Sequence, residues 1–83
     1  MLRYMVFVLI EEALVELGHI EYGEISEELS FDDLGVDEEE RLYLVSELNE
    51  AFFVSSYYCI SWVNLFRFHK VKDLLGEVMN MMN

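Results

Sequence analysis

Apolar residues recur every three or four positions in the first part of the chain, which is the spacing of one face of an α-helix. This pattern predicts a first helix over Leu2 to Leu17, and Gly18 directly after it is a suitable stop signal. The apolar face consists of Leu2, Met5, Val6, Leu9, Ala13, Leu14 and Leu17. Phe7, Val8 and Ile10 make the first half of this helix apolar nearly all round, so it should be covered on more than one side. The last helix of the chain or a second copy of the protein would supply that cover.

The periodic pattern stops between His19 and Val36. Gly23 and Gly35 interrupt this segment, and clusters of Ser, Glu and Asp surround them. Single apolar residues are spread along it, namely Ile20, Tyr22, Ile25, Leu29, Phe31 and Leu34. We expect a long loop that these apolar residues attach to the core, with room for one short turn.

Asp37 opens a second helical pattern. Its side chain can cap the helix, and Glu40 three residues later completes a D-x-x-E capping box. Glu38 and Glu39 lie in the first turn, where the helix dipole favours negative charge. The predicted apolar face holds Leu42, Val45, Leu48 or Asn49, and Phe52, whereas the outer face holds Glu39, Glu40, Glu47 and Glu50. The segment therefore predicts an amphipathic helix of about fifteen residues with an acidic outer face.

Aromatic and β-branched residues are concentrated from Phe52 to Phe68, where periodicity alone does not separate a strand from a helix. A single strand would have no partner elsewhere in this chain, which favours helices. We expect a loop at Val54 to Cys59, a short helix at Ser61 to Phe66 and a final helix at Val71 to Met81. The last apolar stripe consists of Val71, Leu74, Leu75, Val78 and Met79. The predicted fold is all-α, with three longer helices, a short third helix and a long loop between the first two.

Composition indicates one folded domain over residues 1–83. The chain has no Pro, and its 54% of hydrophobic residues is too high for a disordered segment despite a net charge of -12. Cys59 is the only cysteine, so there is no internal disulfide or cysteine metal cluster, and a reducing compartment is favoured. The apolar run Tyr4 to Ile10 is too short to span a bilayer and glutamates follow it directly, so we expect a cytoplasmic protein.

The acidic residues are concentrated in one part of the chain. All of the 17 Asp and Glu residues except Asp73 and Glu77 lie between Glu11 and Glu50, where Arg41 is the only Lys or Arg. Such a surface repels nucleic-acid phosphates and anionic lipids and attracts proteins with basic patches. We therefore expect a basic protein partner and neither nucleic acid nor a membrane. An acidic face that only maintains solubility is the alternative explanation.

The sequence contains no recognised pattern of catalytic or metal-binding residues. The carboxylates of Asp32, Asp33 and the 37–40 run do not follow EF-hand spacing, so helix caps and solvated charge explain them better. Weak binding of divalent ions there would only relieve charge. His19 and His69 have no second His or Cys at ligand spacing, and we interpret them as a helix end and a helix start. The sequence predicts a protein that is not an enzyme and has no metal site.

The segment SFDDLGVDEEERLYLVSELNEAF, residues 30–52, resembles the acyl carrier protein family. That family has the pattern F-x-x-D-L-G-x-D-S-L, followed by a helix of the form x-x-x-x-L-V-x-x-L-E-x-x-F. The matching residues are Asp33, Leu34, Gly35, Asp37, Leu44, Val45, Leu48 and Phe52. EISEELSF before this segment is similar to the family's loop, and VKDLLGEV after it is similar to the family's last helix. The resemblance implies an acyl-carrier-like four-helix bundle.

In that family the serine after D-L-G-x-D carries 4'-phosphopantetheine through a phosphodiester, and the thiol of this group holds the acyl chain. Here Glu38 occupies the serine position, and Glu39 replaces the apolar residue beside it. A carboxylate cannot form that stable phosphodiester, and neither Ser30 nor Ser46 falls at the loop-to-helix junction. Cys59, in an aromatic stretch, is interpreted as a small buried residue and not as a thioester-bearing thiol. The resemblance thus implies a carrier fold without its cofactor.

Three functions are compatible with these residues. In the first, a non-enzymatic module in or derived from fatty acid or polyketide-type acyl metabolism docks its acidic second helix on a basic partner. The residues implied in that contact are Asp37, Glu38, Glu39, Glu40, Arg41, Glu47 and Glu50. In the second, the core accommodates an acyl chain, although the bulky aromatic residues would fill that space. In the third, the chain is a small acidic helical adaptor or chaperone, unrelated to acyl transfer and dimeric through the apolar first helix.

Overall fold

The computed structural model of this protein describes residues 2–52 and 68–82, which contain three long helices and one short helix. The helices are α1 (Leu2–Glu16), α2 (Phe31–Leu34), α3 (Glu38–Phe52) and α4 (Val71–Met82). Within these two ranges there is no strand, only an isolated antiparallel bridge between Ser30 and Lys70. The prediction of an all-α fold is confirmed for these ranges. The predicted loop Val54–Cys59, the predicted short helix Ser61–Phe66 and the Cys59 thiol lie outside them.

The three long helices correspond to the first, second and last helices predicted from periodicity. The predicted ends of α1 and α4 each differ by one residue from the observed ends, and α3 begins directly after Asp37, as its cap predicts. Gly18 ends the turn after α1 with a φ of 83°, a conformation that costs glycine little. The short helix α2 lies within the predicted long loop and forms the single short turn that was expected there.

The core forms where α1 packs against both α3 and α4. The side chains that α1, α3 and α4 bury are Val6, Ile10, Ala13, Leu14, Leu44, Val45, Leu48, Val71, Leu74, Leu75 and Val78. Within each helix they are spaced one, three or four residues apart, so they form one continuous stripe. The predicted stripe of α4 is confirmed in full, with Met79 half-buried at its edge.

The buried faces of α1 and α3 differ from the predicted faces. In α3, Leu44 is 2% exposed and Leu42 is 39% exposed, so the assignment of Leu42 to the core face was wrong. In α1, Ile10 is fully buried, whereas Leu2 and Met5, which were assigned to the apolar face, are exposed. Each residue advances about 100° around a helix, and a highly apolar helix offers several possible faces, so the position of its neighbours decides which face is buried.

The segment between α1 and α3 is attached to the core and to the start of α4. Phe31 is buried, and Ile20, Ile25, Leu29 and Leu34 pack against the core as half-buried residues. Tyr22 is 67% exposed, so its predicted role as an anchor was wrong. The Phe31 amide donates to the His69 carbonyl oxygen at 2.8 Å, and the Val71 amide donates to the Leu29 carbonyl oxygen at 3.0 Å. These backbone hydrogen bonds hold the loop against the first turn of α4.

Candidate functional site

The junction between α2 and α3 is built from short-range backbone and side-chain contacts. Ser30 caps α2, because its hydroxyl oxygen accepts a hydrogen bond from the Asp33 amide at 3.2 Å. Gly35 ends α2 in the left-handed conformation, with a φ of 79°, which favours glycine. Val36, next to it, is buried in the core. The residues of SFDDLGV therefore form a cap, an anchor and a turn. These structural roles explain the segment without a cofactor.

Asp37 and Glu40 form the predicted capping box at the start of α3. The Asp37 carboxylate accepts from the Glu40 amide at 2.9 Å, and the Glu40 carboxylate accepts from the Asp37 amide at 3.1 Å. Glu38 and Glu39 are exposed in the first turn, and their side chains make no hydrogen bond or ion pair with any described residue. The helix dipole favours these two carboxylates, and their charge faces solvent.

Glu40 also connects α3 to the end of α1. Its second carboxylate oxygen lies 2.9 Å from Nε2 of His19, and both side chains are mostly buried. The two residues are 21 positions apart, so local sequence patterns do not reveal this pair. The predicted place of His19 at a helix end is confirmed, and that place lets it hold Glu40. Of the three glutamates that begin α3, Glu40 is therefore the one whose side chain has partners among the described residues.

Arg41 points into the molecule and not toward solvent. Its guanidinium donates to the backbone carbonyl oxygens of Val36 and Phe68 and to the Asp32 carboxylate, with 2.6 Å between Arg41 Nη2 and Asp32 Oδ1. It also lies 5.7 Å from the centre of the Phe31 ring, within the range of a cation–π interaction. Only 13% of its side chain is exposed. Arg41 thus joins α3 to the loop, to α2 and to the segment before α4.

The other described cations are also paired with carboxylates of the loop. The pairs are Arg3 with Glu27, and Lys70 and Lys72 with Glu28. Hydrogen bonds from Lys70 and then Lys72 hold the pKa of Glu28 below its ordinary value. Hydrogen bonds from His69 and then Arg41 lower the pKa of Asp32 in the same way. Every Lys and Arg that the structure describes therefore neutralises residues 27–32, and none neutralises the glutamates of α3.

The last two predicted contact residues, Glu47 and Glu50, lie further along α3. Glu50 is exposed, and its side chain makes no hydrogen bond or ion pair with the described part of the chain. Glu47 is half-buried beside Tyr43, whose hydroxyl donates to Glu16 of α1. The hydrogen bond to Glu16, with a further contribution from Glu47, raises the pKa of Tyr43 to about 12. Asp37, Glu38, Glu39 and Glu50 thus face outward, whereas Glu40, Arg41 and Glu47 have internal partners.

The junction does not provide the group that would hold 4'-phosphopantetheine. The residue exposed at the start of α3 is a carboxylate, Glu38. The Ser30 hydroxyl is used as the cap of α2, and Ser46 lies two turns inside α3. Neither serine presents a hydroxyl where the loop meets the helix. The residues of this chain therefore do not fit a phosphodiester link at the position that the carrier resemblance predicts.

The described residues offer no metal-binding cluster and no candidate membrane span. They contain no group of three or more His, Cys, Asp or Glu side chains arranged to hold a metal ion. None of their helices has the length and apolar character needed to cross a membrane. Comparison of the chain with protein-family models, with curated protein sequences and with solved structures finds no match. The carrier resemblance thus rests on the residues of this chain alone.

Proposed function

We propose that this protein is an acyl-carrier-like module that has lost the attachment serine and works by contact. The acidic face at the start of α3 docks on a basic patch of a partner protein from acyl metabolism. The observation that carries this proposal is that Glu38 and Glu39 are exposed in the first turn of α3 and form no ion pair with any described residue. Glu38 keeps a negative charge close to where a carrier would hold its phosphodiester.

The distribution of cations supports this proposal. A surface carboxylate that is already paired gains little from a second cation, whereas an unpaired one still attracts a partner's Lys or Arg. All the described Lys and Arg residues pair with carboxylates in residues 27–32. No described Lys or Arg therefore forms an ion pair with a glutamate of α3, and a basic partner is steered toward that helix.

Restoring the serine tests the relation to carriers. We would incubate wild type, Glu38→Ser and Glu38→Ser/Glu39→Leu with coenzyme A and a broad-specificity phosphopantetheinyl transferase, and measure intact mass. Wild type should keep its mass, and the double variant should gain one prosthetic group. Glu50→Ser is the matched control, since it places a serine on the same exposed helix but away from the junction. It should keep its mass.

The outcomes separate the candidate functions. A mass gain in wild type would contradict the loss of carrier chemistry. If both serine variants fold, as judged by circular dichroism, but neither is modified, the carrier proposal fails and the small acidic adaptor or chaperone is favoured. For a modified variant, the rate of modification should fall steeply as ionic strength rises from about 0.05 to 0.5 M, because exposed charges are screened over about 10 Å at 0.1 M. A rate independent of salt would contradict docking through charge.

A further inference from the structure

An open apolar groove of about 380 Å³ lies between α1 and the C-terminal end of α3, well along the helix from Glu38. Its apolar lining consists of Tyr4, Met5, Val8 and Leu9 of α1 and Ala51 and Phe52 of α3. Tyr4 is 66% exposed and Met5 is 52% exposed, which makes them two of the most exposed large apolar residues among those described. Adjacent apolar side chains left in water favour a ligand that covers them, at roughly 25 cal/mol per Å² buried.

Beyond its apolar lining, on the side away from Tyr4, the groove is bordered by carboxylates. Glu12 lines the groove, and Glu16 follows it one turn later on the same face of α1. On α3, Glu47 lies one turn before Ala51. The hydrogen bond between Tyr43 and Glu16 brings the two helices together at this point. The surface between α1 and α3 is therefore apolar at one end and acidic at the other.

The acidic end is not neutralised from within the described part of the chain. None of Glu12, Glu16 and Glu47 forms an ion pair with a described Lys, Arg or His. The hydrogen bond to Glu16, then burial, and then the charges of Glu16 and Glu47 raise the pKa of Tyr43 to about 12 at this end of the groove. A cation that reaches this end of the groove would meet carboxylates on both helices that have no ion-pair partner among the described residues.

We propose that this groove binds an amphipathic helix of a basic partner protein. The partner's apolar side chains fill the space beside Tyr4, Met5 and Phe52, and its Lys or Arg residues, one to two turns along, reach Glu12, Glu16 and Glu47. One helical turn rises about 5.4 Å, so a single short helix spans both ends of the groove. Helix-in-groove docking of this kind is a common mode of peptide recognition.

The charges of the groove favour a basic partner over a second copy of this chain. A two-fold contact through α1 would place the same patch of both copies face to face. A contact centred on the apolar end would leave Glu12 and Glu16 of both copies without a cation, between two proteins that each carry a net charge of -12. Such a contact gains apolar burial but adds repulsion between like charges, whereas a basic helix gains from both ends of the groove.

This surface is separate from the docking face at the start of α3, so the two proposals can fail independently. The probe is a fluorescein-labelled amphipathic peptide of about 18 residues, with Leu on one face and Lys on the other, compared with a scrambled peptide of equal composition. Binding to the full-length protein is measured by fluorescence anisotropy. The test variants are Tyr4→Arg and Glu12→Gln. Their matched controls are Tyr22→Arg, where the tyrosine is 67% exposed, and Glu21→Gln, outside the groove.

We expect the amphipathic peptide to bind more tightly than the scrambled one. Tyr4→Arg and Glu12→Gln should each weaken binding by about fivefold to tenfold, whereas their controls should change it less than about twofold. Absence of binding, or equal losses in test and control variants, would overturn the proposal. A dimer that Tyr4→Arg dissociates in sedimentation experiments, together with no effect of the peptide, would assign the groove to a second copy and also overturn it. Glu38→Gln/Glu39→Gln should leave peptide binding nearly unchanged.

Discussion

The guanidinium of Arg41 in α3 donates a hydrogen bond to the backbone carbonyl oxygen of Phe68, 27 residues further along the chain. This carbonyl lies just before α4, in the segment that also pairs with the loop. The same guanidinium reaches the Asp32 carboxylate and the Val36 carbonyl oxygen. One cation thus satisfies acceptors from three parts of the chain and holds the acidic helix in place beneath its exposed glutamates.

Replacement of Arg41 should therefore cost stability. Arg41→Met keeps most of the apolar stem but leaves these acceptors without their donor, and we expect a loss of about 2 to 4 kcal/mol in the free energy of unfolding. Arg3→Met is the matched control, because Arg3 and Glu27 are each about half exposed and such pairs contribute roughly 0 to 1 kcal/mol. Urea denaturation followed by circular dichroism measures both. Equal losses in the two variants would contradict the inward role of Arg41.

The burial difference between Leu44 and Leu42 gives a test of the observed core face. Leu44 is 2% exposed and Leu42 is 39% exposed on the same helix. Leu44→Ala should destabilise the protein by about 2 to 5 kcal/mol, because it removes buried methyl groups and leaves a cavity. Leu42→Ala should cost less than about 1 kcal/mol, since much of its side chain is already in water. The reverse order in urea midpoints would support the face predicted from sequence.

Two glycines should respond to alanine in opposite directions. At Gly35 the φ of 79° disfavours any L side chain, so Gly35→Ala should destabilise the protein by about 1 to 2 kcal/mol. Gly76 lies inside α4, where alanine is the better helix former, so Gly76→Ala should stabilise it by about 0.5 to 1 kcal/mol. A Cβ atom at either position meets no atom within 4 Å. The comparison therefore isolates the effect of backbone conformation. The midpoint temperatures of thermal unfolding of the two variants should shift in opposite directions.

Tyr43 should make the stability sensitive to alkaline pH. Its pKa is raised from 10.0 to about 12 in the folded protein, chiefly by the hydrogen bond to Glu16. The folded protein therefore keeps the proton while the unfolded chain loses it. This contribution to stability is fully present below pH 10 and is lost as the pH rises toward about 12.

Denaturant unfolding at a series of pH values measures this effect. The stability difference between wild type and Tyr43→Phe should be constant below pH 10 and should change in favour of the variant above it. Tyr22→Phe is the control, because Tyr22 is exposed and has no carboxylate partner among the described residues. Parallel pH profiles for wild type and Tyr43→Phe would rule out the hydrogen bond to Glu16 as the cause.

The sequence by itself determined the elements whose causes are local. The ends of α1, α3 and α4, the glycine stops at Gly18 and Gly35 and the capping box of Asp37 and Glu40 all depend on residues within about four positions of one another. A hydroxyl or carboxylate can reach a helix amide only over that distance, so these contacts can be predicted from short patterns. The exposure of Glu38 and Glu39 follows from the same local rules.

Only the tertiary structure decided which helix faces are buried and which charged side chains form ion pairs. Burial of Leu44 and not Leu42 depends on where α1 packs, and the inward turn of Arg41 depends on carbonyl oxygens and a carboxylate up to 27 residues away. The pairing of Lys70 with Glu28 spans 42 residues. Periodicity and local charge do not encode such distant partners, because a Lys or Arg side chain can also be solvated at the surface and a highly apolar helix can bury more than one face. Packing thus decided that the described Lys and Arg residues pair with carboxylates of residues 27–32 and with none of the glutamates of α3.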